Sequence, residues 1–186
     1  MILPHWRRLT CAVLFGFALA PWSLHAEGIQ VRSAELEAHI EGYRLNADFD
    51  ISLTHTLEDA LNKGVALYFV TEFELARPRW YWFDQKVVEL RQQFKLSYNA
   101  LTRKYRLSVG TLFQNYETLE EAVNVMSQLH NRLVAEKDAL KINQKYSAAL
   151  RMKLDISQLP KPFQVNALAS KDWTLSSDWH RWEVTP

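Results

Sequence analysis

Cysteine is nearly absent from this chain of 186 residues: there is one, Cys11, in an apolar stretch close to the N-terminus. The rest of the chain has no thiol nucleophile, no thiolate metal ligand and no disulfide. Glycine is almost as scarce. Beyond residue 26 only Gly28, Gly42, Gly64 and Gly110 occur, too far apart to build a phosphate-cradling loop. There is no Gly-x-Ser-x-Gly elbow and no Ser-x-x-Lys pair, so the common signatures of serine acyl transfer are missing. His39, His55, His130 and His180 are dispersed, without the ligand spacing of a zinc site. His55 and Glu58 stand three apart, but a helix is expected to start between them. Paired carboxylates for glycosidic cleavage are defined by their separation in space, and among 21 acidic residues no pair singles itself out. The expectation from these absences is no catalytic residue, no cofactor, no metal and no enzyme activity by any motif the chain carries, with a zinc site assembled from distant residues as the alternative.

Acidic residues are also missing from the first 26 positions, where Arg7 and Arg8 precede an apolar run from Leu9 to Leu24. A basic start, an apolar middle and a small-residue end are the parts of a secretory signal. Cleavage after Ala26 would place Leu24 and Ala26 at the −3 and −1 positions; cleavage after Ala20 would put Pro21 directly behind the cut. The alternative is an uncleaved anchor. A spanning helix needs about 20 apolar residues, and Pro21 and Ser23 interrupt this run too early. Cys11 lies within the run, whereas a lipidated cysteine would end it. The expectation is a cleavable signal peptide at 1–26 and one periplasmic β-rich domain at 27–186, long enough to bury a core without disulfides. Losing Arg7 and Arg8 changes 22 basic against 21 acidic side chains to 20 against 21. That balance gives no reason to expect nucleic acid or an anionic membrane surface as partner.

Period-2 alternation dominates the remainder. From Tyr43 to Leu53 the odd positions are apolar while Arg44, Asn46, Asp48, Asp50 and Ser52 are polar. Val65–Leu75, Val88–Tyr98 and Leu150–Ile156 show the same pattern, and weaker strands are expected around 29–40, 103–109 and 132–140. In the first of these the apolar phase switches from Ile29 and Val31 to Leu36 and Ile40, which implies a bulge. Two short helices interrupt the strands. One is expected to begin at Thr56, burying Leu57, Ala60 and Leu61, with Gly64 at its C-terminal end. The other begins at Thr118, with Glu121 completing a capping box, and carries Leu119, Ala122, Val123, Met126 and Leu129 at helical spacing. Eight of the 20 residues in 43–62 recur 62 positions later in 105–124. Either the domain contains a repeat of strand, helix, strand, strand, or two helices share ordinary capping chemistry.

After Ile156 the style changes. Leu159-Pro160-Lys161-Pro162 reads as extended. A segment at 163–184 follows, bearing Trp173, Trp179 and Trp182, too aromatic to be disordered. It is expected to dock on the domain, with Trp173, Trp179 and Trp182 as structural anchors and the first two of them buried.

The aromatic–arginine string Arg77-Pro78-Arg79-Trp80-Tyr81-Trp82, the ending Leu159-Pro160-Lys161-Pro162-Phe163-Gln164-Val165-Asn166-Ala167-Leu168, and Trp173 with Ser177-Asp178-Trp179 together resemble the exported family called domain of unknown function 4390. The likeness covers most of 30–184, and the Pro-Lys-Pro to Trp182 ending is its most specific part. The resemblance implies a periplasmic location and, because similar proteins are often encoded beside a membrane sensor kinase of the nitrogen-regulation type, points to a signalling partner. It brings no catalytic residues.

The fold expected is a mainly β, antiparallel sandwich of about seven strands with two short capped helices; the alternative is α+β, with both helices on one face of an antiparallel sheet. Arg77, Arg79, Trp80, Tyr81 and Trp82, at the hairpin between two long strands, form the candidate interaction patch, since Trp, Tyr and Arg dominate binding hot spots. If the strands continue through it, Trp80 and Trp82 share one face and Tyr81 the other. The competing expectation is that the later tryptophans pack on this hairpin and close the core. Two uses follow: a non-catalytic interaction module whose partner is a membrane protein such as a sensor kinase's extracytoplasmic domain, or a cell-wall or glycan binder stacking exposed tryptophans on sugar.

Overall fold

Apolar–polar alternation produces nine strands among the described residues, and they divide between two antiparallel sheets. The structure, a computed structural model, describes residues 28–81 and 84–186; the expected signal peptide lies outside them. In the smaller sheet the order is β1 (Gly28–His39), β2 (Gly42–Ser52), β7 (Gln128–Glu136). In the larger it is β6 (Leu112–Tyr116), β5 (Lys104–Val109), β4 (Gln85–Asn99), β3 (Leu67–Arg77), β8 (Tyr146–Leu154), β9 (His180–Val184). The sheets pack as a sandwich, β1 against β8 and β9 and β7 against β4, over one core. Tyr43, Leu45, Ala47 and Phe49 of β2 meet Phe69, Phe73 and Leu75 of β3 and Leu150 and Met152 of β8 in it. The expected bulge in β1 is present, as a register shift between Val31 and Ser33.

Two helices carry the chain between sheets. α1 (His55–Asn62) leads from β2 to β3, and α2 (Leu119–Met126) leads from β6 to β7. α2 starts at Thr118 with the capping box intact: the Thr118 hydroxyl accepts from the Glu121 amide, and the Glu121 carboxylate accepts from the Thr118 amide. α1 is capped by Thr54 and not by Thr56; Thr54 Oγ1 accepts from Leu57 N at 3.3 Å. Because Thr54 is buried, its hydroxyl can also donate to the Asp172 carbonyl, at 2.7 Å, a bond no local pattern announces. This decides the apparent repeat. Thr56 lies inside a helix where Thr118 caps one, and β5 is followed by another strand where β2 is followed directly by a helix. The matched residues therefore occupy different places in the two elements, and the likeness is one of sequence and not of a structural repeat.

Leu129 belongs to β7 and not to α2. The helix stops at Met126 because the chain is drawn into pairing with β2, where Phe49 N donates to Ser127 O at 2.9 Å. The Pro160–Pro162 stretch is not a continuous extended spacer. Pro160 is extended, but Lys161–Ala169 forms a third helix, α3, with proline in its first turn, where the missing N–H has no intrahelical partner to lose. The chain then makes a single 3-10 turn at Lys171–Trp173 and returns along β8. Leu154 N donates to Leu175 O, Ser177 N to Met152 O, and β9 completes the edge.

Candidate functional site

The β3–β4 hairpin ends in a loop. Pairing stops at Arg77 opposite Gln85, and Pro78, which has no N–H to give the ladder, follows at once. The strand alternation expected through Trp80 and Tyr81 is therefore absent: both point into solvent, Trp80 94% and Tyr81 66% exposed. Their rings meet edge to face at 5.1 Å between centroids. Beneath them the guanidinium groups of Arg77 and Arg79 converge on one neutral acceptor, Gln85 Oε1, at 2.5 Å from Arg77 Nη2. The Arg79 amide leans on Asp84 Oδ1 at 3.4 Å. Neither arginine has a carboxylate partner among the described residues, so the tip presents two aromatic rings over net positive charge. Trp82, the remaining member of the expected patch, lies outside the described residues.

The later tryptophans stand elsewhere and do not cover that tip. Trp173 is buried, its ring 5.5 Å from Phe163 of α3. Trp182 is half-buried on the core side of β9, 6.1 Å from Phe73. Trp179, expected to be buried, is half-exposed: it lies on the outer face of the large sheet under the Arg151 guanidinium, 4.3 Å from ring to charge. A ring beside a cation needs no burial to be held.

Sequence reading missed the charge pattern of the two outer faces. Register puts Glu72 of β3 opposite Arg91 of β4 and Arg151 of β8. Arg151 and Lys153 reach its carboxylate at 2.6 and 3.1 Å, and Arg91 at 3.4 Å. Burial would raise the Glu72 carboxyl, but hydrogen bonds from Lys153 and Arg151 outweigh it and hold the group below its ordinary value. Lys95 and Arg106 of the same face have no carboxylate partner among the described residues. Lys95 lies over the Tyr68 ring, and Arg106 over Phe113 while bonding Asn115. The small sheet is the opposite: its outer face carries Glu35, Glu37, Asp48 and Asp50 against Arg32 and Arg44.

An open cleft of about 910 Å³ lies where β2 ends beside α2, lined by Asp48, Asp50, Glu58, Glu120 and Glu121 with Arg32. Three of its carboxylates have structural work: Glu121 closes the capping box, Asp50 pairs with Arg32, and Asp48 Oδ1 is 2.9 Å from His130 Nε2. Among the described residues no three of His, Cys, Asp and Glu gather as a metal would require, and no helix is long and apolar enough to cross a membrane.

What fold and surface define is a mainly β, two-sheet domain with an aromatic–arginine hairpin tip and oppositely charged outer faces. The chain belongs to the family described as Domain of unknown function (DUF4390), whose model matches residues 26–183. Neither the curated proteins nor the solved structures contain a match.

Proposed function

We propose that this protein is a non-catalytic interaction module, exported to the periplasm, whose hairpin tip binds the extracytoplasmic part of a membrane protein such as a sensor kinase. The observation that carries this reading is the exposure of Trp80 and Tyr81 above Arg77 and Arg79. Leaving a tryptophan almost wholly in water forgoes a few kcal/mol of burial, by about 25 cal/mol per Å² over roughly 150–250 Å². Binding a partner would recover part of that. Trp, Tyr and Arg are also the residue types that dominate hot spots. The glycan alternative draws on fewer rings than the sequence offered, since Trp173 is buried and Trp179 is occupied by Arg151.

The test is capture from membranes after mild crosslinking, comparing the natural chain with Trp80→Ala/Tyr81→Ala. Because these side chains touch little else, the double variant should keep its unfolding free energy in urea within about 0.5 kcal/mol and lose the crosslinked membrane protein. Equal capture by both proteins would remove the tip from the interface. Salt-resistant retention on purified peptidoglycan that depends on Trp80 would favour the glycan reading.

A further inference from the structure

We propose that the outer face of the large sheet is a second docking surface, which takes an extended acidic segment of a partner protein on Arg91, Lys95, Arg151 and Lys153. The inference rests on the interaction-module reading for the kind of partner, but on different residues from the hairpin tip.

Three observations carry it. The first is uncompensated charge. Glu72 is shared by Arg91, Arg151 and Lys153, and Lys95 has no carboxylate partner among the described residues, so four cations face one anion. The second is preorganisation. Arg151 is held between the Trp179 ring and the Glu72 carboxylate, which fixes the plane of its guanidinium and spares part of the ordering cost of binding. A fixed guanidinium fork suits a carboxylate better than it suits a diffuse field. The third is spacing. Arg151 and Lys153 are two residues apart on one face, and β4 lies two strands from β8. On β8 the cations therefore stand roughly 7 Å apart, on β4 Arg91 and Lys95 stand roughly 13 Å apart with Gln93 between them, and the two rows are roughly 10 Å from each other. An extended peptide with alternate acidic residues presents carboxylates at the same period of roughly 7 Å.

A uniformly anionic bilayer fits less well, because the far end of this face carries Glu74, Glu89 and Glu183. A protein partner can be patterned to match both ends.

The probe is a twelve-residue peptide alternating glutamate and serine, titrated at low salt into the isotopically labelled protein and followed by amide chemical shifts. Shifts should concentrate on β4 and β8 around residues 91–95 and 151–153 and weaken as salt is raised. Lys95→Glu/Lys153→Glu should bind at least tenfold more weakly. Lys95→Glu alone, which breaks no ion pair among the described residues, should weaken binding with an unchanged urea midpoint. Trp80→Ala/Tyr81→Ala should bind the peptide normally, so failure here is separable from failure at the tip. The proposal is overturned if the shifts map elsewhere or if Lys95→Glu binds unchanged. It is equally overturned if phosphatidylglycerol vesicles compete the peptide away through the same lysines, or if this face is found sequestered by a second copy of the chain.

Discussion

Glu72 neutralises part of the charge of Arg91, Arg151 and Lys153, and removing its own charge should leave those cations repelling each other. Glu72→Gln is expected to lower stability at neutral pH by about 1–2 kcal/mol, the scale of charged hydrogen bonds discounted for partial solvent contact. Since the folded-state value lies below the ordinary 4.5, this contribution is full above that ordinary value. It is lost as pH falls through the lowered one. Acid titration of the urea midpoint should thus show a steeper fall below pH 4.5 for the natural chain than for the variant. Backbone sets the next limit. A Cβ on Gly42, where φ is +150°, would lie 2.2 Å from the Ala135 carbonyl oxygen, whereas one on Gly64 would meet nothing within 4 Å. Gly42→Ala should therefore cost more than about 2 kcal/mol, and Gly64→Ala about 1 kcal/mol from its positive φ alone; comparing urea midpoints of the two variants checks the ranking.

Helix caps separate what sequence can show from what it cannot. Thr118→Ala removes one exposed cap and should cost about 1 kcal/mol. Thr54→Ala removes a cap together with the buried bond to Asp172, so about 2 kcal/mol is expected, with faster amide exchange at residues 170–175. The Thr118 box was legible because both partners lie within four residues of each other. The role of Thr54 was hidden because its second partner lies 118 positions away. Strands with one wet face, β2, β3, β4 and β8, announced themselves by alternation. β6 did not, since Leu112 and Phe113 are both exposed on an edge strand and no phase survives. β9 does alternate, Trp182 and Val184 against Arg181 and Glu183, but over five residues that alternation is too short to tell a strand from a docked aromatic segment. The hairpin tip was visible as a string of aromatics and arginines. The basic face was not, because pairing assembles it from β4 and β8, and a near-zero net charge conceals two faces of opposite sign.

At the scale of the whole molecule, the C-terminal segment is part of the sheet and part of the core. Deleting everything after Ser157 would remove β9, α3 and the buried Trp173 and Leu175. Loss of Trp173 alone forfeits roughly 4–6 kcal/mol of burial at about 25 cal/mol per Å² over roughly 150–250 Å². A domain of this size holds about 5–15 kcal/mol in all. The truncated protein should be insoluble or partly unfolded by circular dichroism and proteolysis; an unchanged melting temperature would make the segment a recognition arm instead. The position of β8 between β3 and β9 has a temporal consequence as well. Arg151 follows Glu72 by 79 positions, so in a chain that emerges N-terminus first one edge of β3 stays bare until β8 arrives. That edge belongs to a strand rich in Phe and Leu, the kind most apt to pair with a neighbouring molecule. Until then the bare edge is open to a second unfolded chain, and the arrival of β8 competes with that pairing.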